Sequence, residues 1–398
     1  MSRTHTALTL ALAISAVFPT PLHAAPASAP AHATQAKQSR ASASAAPVRK
    51  ASAPATASRP KEARKPNARR SAGAAHVGTP YSGREDALRW ADEMAARQGL
   101  DAAWARRWVG QAQLLPVVQR LMQPAPPGAR KNWTVYRSRF IDASRIAAGV
   151  QFWQAHRAAL ERAEQVYGVP PEMVVGIIGV ETIYGQQMGD FRVLDALATL
   201  SFDHPENHPR AAERSAYFRG ELEQFLALAH RSGGDPSLPR GSFAGAMGLT
   251  QFMPSSWVKW AVDFDGDGRI DLRRSPTDAI GSVASYFKAH GWQAGMPTHY
   301  PVTFDTARID LDTLLAPDIL PTFSVTRFTA LGAVLEGAAL AHAGPLALVE
   351  LQNGDQPSSF VAGTENFYVI TRYNQSSYYA MAVIDLGQAV RQALPRSP

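Results

Sequence analysis

The sequence feature that most constrains this chain is residues 169–185, which read VPPEMVVGIIGVETIYG. The two prolines suit the first turn of a helix, where a backbone N–H has no partner to lose. Apolar side chains then cover every face of the following helix, a pattern typical of a helix that is buried on all sides. The run is shorter than the roughly 20 apolar residues that a membrane span needs. The stretch therefore predicts a buried helix at the centre of a large core.

Glu181 stands near the end of this helix, shortly before Gly185, which offers a stop. Burial and the negative end of the helix dipole both disfavour an ionised carboxyl, so both would raise its pKa. A raised pKa suits a group that donates a proton near neutral pH. The helix by itself leaves open the alternative that Glu181 reaches water at a frayed end.

The first 80 residues differ in composition from the rest. Residues 1–25 combine Arg3, an apolar run and small residues near Ala24, which is the pattern of a cleaved signal peptide. Residues 26–80 are Ala, Pro and Ser with scattered Lys and Arg, which predicts a disordered basic linker. Such a linker could associate with an anionic membrane or wall surface, and a solvated spacer is the alternative.

The net charge of +7 is concentrated in that linker. Residues 1–80 hold 11 of the 40 basic residues and one of the 33 acidic residues, which leaves 29 basic and 32 acidic residues. The remainder, at about −3, gives little reason to expect a basic surface for nucleic acid. Cysteine is absent, which excludes disulfides and thiolate nucleophiles. No second long apolar run occurs, so we expect no transmembrane segment.

Apolar periodicity predicts a mainly α (α+β) fold. Ser82 and Glu85 have the spacing of a capping box before a first helix that Gly99 ends. Further helices are predicted over 102–122, 143–167, 193–200 and 212–231. From residue 296 to 371 short β-prone segments (300–304, 323–328, 347–351 and 367–371) predict a small β region, and a helix over 381–394 closes the chain.

A second informative stretch is residues 241–254, GSFAGAMGLTQFMP. Its glycines allow backbone to approach a ligand or another helix closely. Ser242, Thr250 and Gln251 are hydrogen-bonding groups among apolar residues, a lining that suits a neutral substrate with many hydroxyl groups. Close helix packing on small residues is the alternative interpretation.

A third stretch, residues 263–271, reads DFDGDGRID and reproduces the first nine positions of an EF-hand-type loop. Carboxylates at 263, 265 and 267 and the carbonyl of residue 269 take the usual ligand positions. Position 12 is Arg274, where a bidentate Glu is usual, so Asp278 would have to close a longer loop. The pattern predicts a structural Ca²⁺ site, and a solvated Asp-Gly turn is the alternative.

A fourth stretch, residues 365–374, reads ENFYVITRYN and could line a sugar groove through its tyrosines and Asn374. Tyr378 and Tyr379 fit better as surface aromatics of an edge strand. His204 and His208 lie four residues apart, but Pro205 and Pro209 oppose a helix that would aim both at one metal. The chain has no HExxH, GxSxG, phosphate-loop or dinucleotide motif, so we expect no organic cofactor.

Together these stretches resemble the lytic murein transglycosylase B family. The matching segments cover about 140–398, and more loosely 81–140: VYGVPPEMVVGIIGVETIYG, DALATLSF, YFRGELEQFL, GSFAGAMGLTQFMPSSW, AVDFDGDGRIDL, DAIGSVASYFKAHGW and NFYVITRYN. The resemblance implies a helical N-terminal domain (81–145), a goose-type-lysozyme-like core (146–295), a small β domain (296–364) and a C-terminal return to the core (365–398). It also implies cleavage of the β-1,4 bond between N-acetylmuramic acid and N-acetylglucosamine in peptidoglycan, leaving a 1,6-anhydro end.

The resemblance assigns roles position by position. Glu181 matches the catalytic acid. Residues that match the family's substrate groove are Ser242, Gln251, Tyr373, Asn374 and Arg214. Residues that match the family's calcium ligands are Asp263, Asp265, Asp267, Arg269 (by its carbonyl) and Asp278. The chain departs from the family at Ile183 and Tyr184, where Arg-Trp is usual. It also departs in residues 203–209, which look like an insertion, and in one extra residue before Asp278.

One glutamate suffices for such a reaction if the sugar supplies its own nucleophile. Glu181 would protonate the glycosidic oxygen and then accept the proton of the muramoyl C6 hydroxyl. Two alternatives remain at this point: a hydrolytic muramidase in which Asp190 or Asp203 activates water, and a non-catalytic, calcium-stabilised wall-binding protein. The expected location is the periplasm, and the expected partners are glycan strands and proteins of wall synthesis or remodelling.

Overall fold

The computed structural model describes residues 78–124 and 130–395. Its helices are α1 (Glu85–Gln98), α2 (Ala102–Gln111), α3 (Pro116–Leu121), α4 (Trp133–Arg137), α5 (Ala143–Ala155), α6 (Arg157–Tyr167), α7 (Pro171–Thr182), α8 (Val193–Phe202), α9 (Ala211–Arg231), α10 (Pro254–Trp260), α11 (Pro276–Ala289), α12 (Leu311–Leu315), α13 (Val325–Ala330), α14 (Glu365–Tyr373) and α15 (Ser377–Ala393). Its strands are β1 (Thr79–Pro80), β2 (Gln113–Leu114), β3 (Phe191–Arg192), β4 (Arg240–Gly241), β5 (His299–Pro301), β6 (Thr303–Phe304), β7 (Ala333–Val334), β8 (Ala347–Asn353) and β9 (Gln356–Gly363).

The predicted mainly helical fold class is confirmed. The predicted signal peptide and nearly all of the linker lie outside the described residues. Within the described residues, every helix is too short or too polar to span a membrane.

The central helix α7 is buried along its length, as predicted. It crosses α15 at two glycines: a Cβ on Gly176 would lie 2.3 Å from the carbonyl oxygen of Val383, and one on Gly387 would lie 2.1 Å from that of Glu172. Backbone contact of this kind is possible only without a side chain at the crossing. The helix ends at Thr182, earlier than the predicted stop at Gly185, because Ile183 already adopts a left-handed conformation (φ 50°).

Two predicted long helices are each interrupted. The one over 102–122 breaks into α2 and α3, because the chain between them pairs as β2 with β1 and Pro116 starts a new helix. The backbone N–H of Gln113 donates to Asp195 and that of Leu115 donates to Thr199, both on α8. The helix over 143–167 breaks at His156, and Gly168 ends α6 as predicted.

The predicted capping box is wrong. Ser82 lies in a single 3-10 turn, and the N-cap of α1 is Arg84, whose side chain makes no capping hydrogen bond. Arg84 instead donates to Asp86 and Asp203, so its place is determined by a tertiary ion pair. Gly99 ends the helix in a left-handed conformation (φ 64°), as predicted.

The predicted β region contains a three-stranded antiparallel sheet in the order β5-β9-β8 and a smaller β6-β7 pair. Two of the segments predicted as β-prone are helical. Residue 323 forms only an isolated bridge before α13, and 367–371 belongs to α14. Thr364 caps α14, and Phe367 and Ile370, three apart, are both fully buried, so core packing outweighs β propensity there.

Three apolar clusters of buried residues hold these elements. The first gathers around α7, α11 and α15. The second unites α1 and α2 with α8, α9 and the 243–253 loop, and the third fills the β region. Strand β8 serves two of them, because Val349 and Leu351 face the first cluster and Leu348 faces the third. The domain boundaries expected at 145, 295 and 364 remain predictions.

Candidate active site

Glu181 lies in the last turn of α7 and is partly buried. The hydroxyl of Tyr379 donates a hydrogen bond to its Oε1 at 2.5 Å. Burial raises the pKa of Glu181 to about 8, and the Tyr379 hydrogen bond opposes this rise. Neither cause is a second carboxylate. At neutral pH the carboxyl therefore holds its proton, as a general acid must.

The chain reverses directly behind this carboxyl. Thr182 donates to the carbonyl oxygen of Leu249 and accepts from the N–H of Gly185, at 3.1 and 3.0 Å. Ile183 and Tyr184 both have positive φ (50° and 56°), a conformation that costs non-glycine residues energy and persists only where the surroundings enforce it. The result is a rigid turn that fixes the end of α7.

Tyr184 explains how the chain accommodates one departure from the family pattern. Its ring packs 5.2 Å from that of Phe152. A Cβ added to Gly149 or to Gly179 would lie only 2.4 Å from the buried hydroxyl oxygen of Tyr184. The side chain thus turns into the core beside α5 and α7. It supports the turn from behind.

The glycine-rich loop, residues 241–254, forms a second wall of the site. Its Ser242 hydroxyl accepts from the N–H groups of Ala244 and Ala246, and Gln251 donates from Nε2 to the carbonyl oxygens of Met188 and Gly248. Gln251 has a positive φ of 49°, so its backbone is held in a strained turn. These contacts give both predicted groove residues fixed positions.

Gly248 shows why the loop needs a glycine. Its φ is 73°, and a Cβ there would lie 2.5 Å from the carbonyl oxygen of Leu272. The next residue, Leu249, donates its N–H to that same oxygen at 2.8 Å. The glycine-rich loop therefore lies directly against Leu272, which belongs to the acidic loop (residues 263–278).

The α14–α15 junction supplies a third wall. The Tyr373 hydroxyl donates to the carbonyl oxygen of Thr250 at 2.6 Å, and its ring lies nearly parallel to that of Tyr379 at 6.4 Å. Burial and the nearby Glu181 raise the pKa of both tyrosines well above the usual value. Asn374 is buried at the C-terminus of α14. The end of α7, the loop and this junction thus meet around Glu181.

Tyr379 was missed as a site residue. The interpretation of Tyr378 and Tyr379 as surface aromatics of an edge strand is wrong, since both are buried in α15. Tyr379, Val383, Leu386 and Val390 follow one another at spacings of four, three and four, a helical stripe that would have placed Tyr379 in the core. The closing helix accordingly begins at Ser377, four residues before its predicted start.

Two further tyrosines near the site escaped the sequence reasoning. Burial raises the pKa of Tyr136 to about 12, with a smaller contribution from Glu181. Tyr286 packs 4.8 Å from Tyr373 and donates its hydroxyl to the carbonyl oxygen of Arg372 at 2.6 Å. Tyr136 lies outside the segments singled out in the sequence, and Tyr286 lies in DAIGSVASYFKAHGW without a role assigned to it, so only the folded chain shows that both lie near the site.

Arg214 lies on α9 and is partly buried. Its Nε donates to Nε2 of His204 at 3.3 Å and its Nη2 donates to Sδ of Met122 at 3.0 Å. These contacts are with the 203–209 segment and with the end of α3, not with the residues around Glu181.

The acidic loop brings three of its predicted ligands together. Carboxylate oxygens of Asp263, Asp265 and Asp278 all lie within 4.8 Å of one another. Two oxygens bound on opposite sides of a Ca²⁺ ion, each about 2.4 Å from it, would be about that far apart, so the set fits the ion. Asp267 is not in this group: its carboxylate accepts from the N–H of Arg269. Asp278 is buried in the first turn of α11, and the other two are exposed.

Comparison with known proteins gives consistent results. A family model described as a transglycosylase SLT domain matches residues 83–388. The chain is 43% identical over 327 residues to the membrane-bound lytic murein transglycosylase B of Escherichia coli K12, covering 80% of this chain and 86% of that protein.

Two solved structures are also similar. The E. coli lytic transglycosylase Slt35 in complex with calcium has a TM-score of 0.69 at 43% identity, over 80% of this chain and 96% of that one. SltB3 of Pseudomonas aeruginosa in complex with NAG-anhNAM-pentapeptide has a TM-score of 0.65 at 29% identity, over 80% and 83%.

Proposed function

The chain belongs to the lytic murein transglycosylase B family and is a lytic transglycosylase acting on peptidoglycan, and we propose that Glu181 alone carries its acid–base chemistry. The bond broken is the β-1,4 bond between N-acetylmuramic acid and N-acetylglucosamine. The observation that carries the proposal is the Glu181 carboxyl itself, with its pKa raised to about 8 by burial and a single phenolic donor 2.5 Å away.

The reaction proceeds in two proton transfers. Glu181 gives its proton to the glycosidic oxygen as the bond from that oxygen to C1 of the muramoyl sugar breaks. The C6 hydroxyl oxygen then bonds to C1 and gives its proton to the Glu181 carboxylate, which regenerates the acid. The Tyr379 hydroxyl stabilises the carboxylate between these steps, because a hydrogen bond to a charged acceptor is stronger than one to a neutral acceptor.

A hydrolytic mechanism would need a second carboxylate to activate water. Of the two candidates, Asp203 accepts from Tyr81 at 2.6 Å and from Arg84 at 2.9 Å, contacts that tie it to the N-terminal helices. Asp190 is exposed beside β3. The pKa of Glu181 is shifted by burial and by Tyr379 only, so no carboxylate contributes to it. These observations favour the sugar's own C6 hydroxyl as nucleophile.

The glycan strand would lie along the three walls around Glu181. Ser242, Gln251, Tyr373 and Asn374 offer neutral hydrogen-bonding groups and an aromatic face, which suit acetamido sugars. Arg214 adds a positive charge at a distance from these walls. The relative SltB3 was solved with NAG-anhNAM-pentapeptide, and we assign a ligand of this class, an anhydro sugar carrying a peptide, to this chain as well.

Calcium would have a structural role. Asp263, Asp265 and Asp278 would hold the ion, and Asp267 and the Arg269 carbonyl would complete its shell. Three acids this close repel one another unless a cation is present. Because the backbone N–H of Leu249 in the glycine-rich loop donates to the carbonyl oxygen of Leu272 within the acidic loop, the ion would also steady one wall of the active site.

We further place the mature protein in the periplasm, where its substrate lies. The basic linker would let it associate with an anionic membrane or wall surface, and proteins of wall synthesis or remodelling would be its partners.

The test is digestion of purified murein with mass spectrometry of the products. Anhydro products are one water lighter than reducing ends, so the proposal expects only the lighter species. Glu181→Gln should lower turnover by about 10²- to 10⁴-fold, the usual size of a lost general acid–base group, while still sedimenting with murein. Glu172→Gln, at the other end of α7, is the matched control and should keep wild-type turnover.

Products with reducing ends only would show a hydrolase instead. Murein binding by a wild type that shows no turnover would support the wall-binding alternative.

A further inference from the structure

The segment 203–209 is held against the N-terminal part of the molecule on both sides. Asp203 accepts from Tyr81 and Arg84, and its carbonyl oxygen accepts from Gln119 at 2.8 Å. Asn207 donates to the side chain of Gln123 at 2.6 Å. These contacts fix the position of the residue that follows Asp203, which is His204.

His204 is buried, with 6% of its surface exposed. Its ring stacks on that of Phe218 at 6.1 Å, and its Nε2 accepts the Nε–H of Arg214 at 3.3 Å. An imidazole that accepts at Nε2 carries its proton on Nδ1, which lies 3.3 Å from the carbonyl oxygen of Pro205. Burial lowers the pKa of His204 to about 4, and Arg214 and His208 add to this effect. His204 is therefore a neutral acceptor at neutral pH.

Arg214 is thus oriented without being neutralised. Its two hydrogen-bond partners among the described residues, the His204 imidazole and the Met122 thioether, are both uncharged. The adjacent carboxylate, Glu213, makes two hydrogen bonds with Arg210. A partly buried guanidinium held by neutral acceptors keeps its charge available for an anion, and its planar fork matches a carboxylate.

We propose that His204 is a positioning residue that orients the Arg214 guanidinium toward a carboxylate of the peptide stem of the substrate. The inference rests on the proposed function, since it assigns the group that Arg214 binds. A peptide stem carries carboxylates, whereas in a peptide-bearing strand the lactyl carboxyl of each muramoyl sugar is held in its amide bond to the stem, so only the stem offers Arg214 an ionic partner. The pentapeptide bound to the relative SltB3 is a ligand of that kind.

The experiment measures kcat and KM on two substrates: glycan strands whose peptides have free carboxylates (peptide-bearing strands), and the same strands after those carboxylates have been converted to neutral amides (amidated strands). His204→Phe keeps a ring on Phe218 but removes the acceptor, whereas His204→Gln retains an acceptor oxygen. We expect His204→Phe to raise KM on peptide-bearing strands roughly 10-fold, the size of one hydrogen bond to a charged group. Its kcat, and its KM on amidated strands, should stay within about twofold of wild type, a range too small to register as one lost hydrogen bond. His204→Gln should restore most of the loss.

Arg214→Lys gives an independent measurement if His204→Phe does not fold. It keeps the charge but cannot engage both acceptors, so KM on peptide-bearing strands is expected to rise by more than KM on amidated strands. Wild-type KM values in either variant on peptide-bearing strands would overturn the proposal, and so would an equal loss on both substrates. Wild-type turnover to anhydro products on both substrates tests the proposed function separately.

Discussion

The end of α7 and the acidic loop both place a carboxyl group against the first apolar cluster, but they surround it with different partners. Glu181 has one phenolic donor in apolar surroundings, and burial raises its pKa to about 8. Asp278, which is more deeply buried, accepts from the backbone N–H groups of Phe264, Asp265 and Asp271. Its neighbour Asp265 accepts from the Ser275 hydroxyl, which holds its pKa below the usual range.

The two regions differ in the number of hydrogen-bond donors that surround the carboxyl group. A carboxyl with few donors keeps its proton and can deliver it, whereas hydrogen bonds donated to a carboxylate favour its charged form, which is the form that binds a cation. Residue type is nearly the same in both places. The surrounding backbone decides which task each group performs, and each of the following experiments acts on one side of this contrast.

Removal of calcium tests the acidic loop and should have the largest effect on stability. A ligand that binds only the native state adds about 2.7 kcal/mol when present at about 100 times its Kd. A chelator should therefore lower the melting temperature by several degrees, as measured by calorimetry. Asp278→Asn should melt at the lower temperature with or without the chelator. Identical melting curves for the wild type in both conditions, with no metal in the purified protein, would contradict the calcium assignment.

Glu181→Gln tests the end of α7 through its effect on the free energy of unfolding. The folded-state pKa of Glu181, about 8, lies above its unfolded value of 4.5. The stability that this group contributes is therefore fully present below pH 4.5 and is lost as the pH rises through about 8. Gln stays neutral, so the variant should be more stable above pH 8 by on the order of 2 kcal/mol, a figure reduced for the carboxyl's partial access to solvent.

Urea unfolding at pH 4 and pH 9 measures this difference, which should vanish at the lower pH. A variant no more stable than the wild type at pH 9 would show that the carboxyl ionises freely in the folded protein.

Tyr379→Phe sharpens the comparison by removing the one donor that Glu181 has. Without it the carboxylate is less stabilised, so the pKa of Glu181 should rise above about 8 and the alkaline limb of the pH–kcat profile should move upward. We expect kcat at neutral pH to fall about 10-fold, the size of one hydrogen bond to a charged group. Tyr378→Phe is the matched control, since that hydroxyl donates to the carbonyl oxygen of Gln352 instead. An unmoved alkaline limb would mean that Tyr379 does not tune the acid.

Local patterns predicted much of the fold and several site residues. Fewer than about 20 residues suffice to predict each of three features: the buried helix from its periodicity, the glycine-rich loop from its glycine spacing, and the acidic loop from its carboxylate spacing. The predicted helix ends at Gly99 and Gly168 are confirmed for the same reason, because a glycine in the left-handed conformation ends a helix locally.

The wrong predictions share a different cause. Residues 367–371 look β-prone but form a helix, because their residues that pack in the core, Phe367 and Ile370, are three apart, which is a helical spacing. The helix predicted over 102–122 breaks because Asp195 and Thr199, more than 80 residues away, accept its backbone N–H groups. Arg84 is likewise placed by an ion pair with Asp203.

By itself the sequence determined that a glutamate ends a buried helix, that an acidic loop suits calcium, and which family the chain resembles. Tertiary structure alone decided the partner of each group. Tyr379 reaches Glu181 across 198 residues of chain, and His204 meets Arg214 because contacts with the N-terminal helices hold its segment in place. The physical reason is that spacing along the chain encodes local geometry, whereas a carboxyl's pKa or a guanidinium's orientation depends on which distant groups folding brings within a few ångströms.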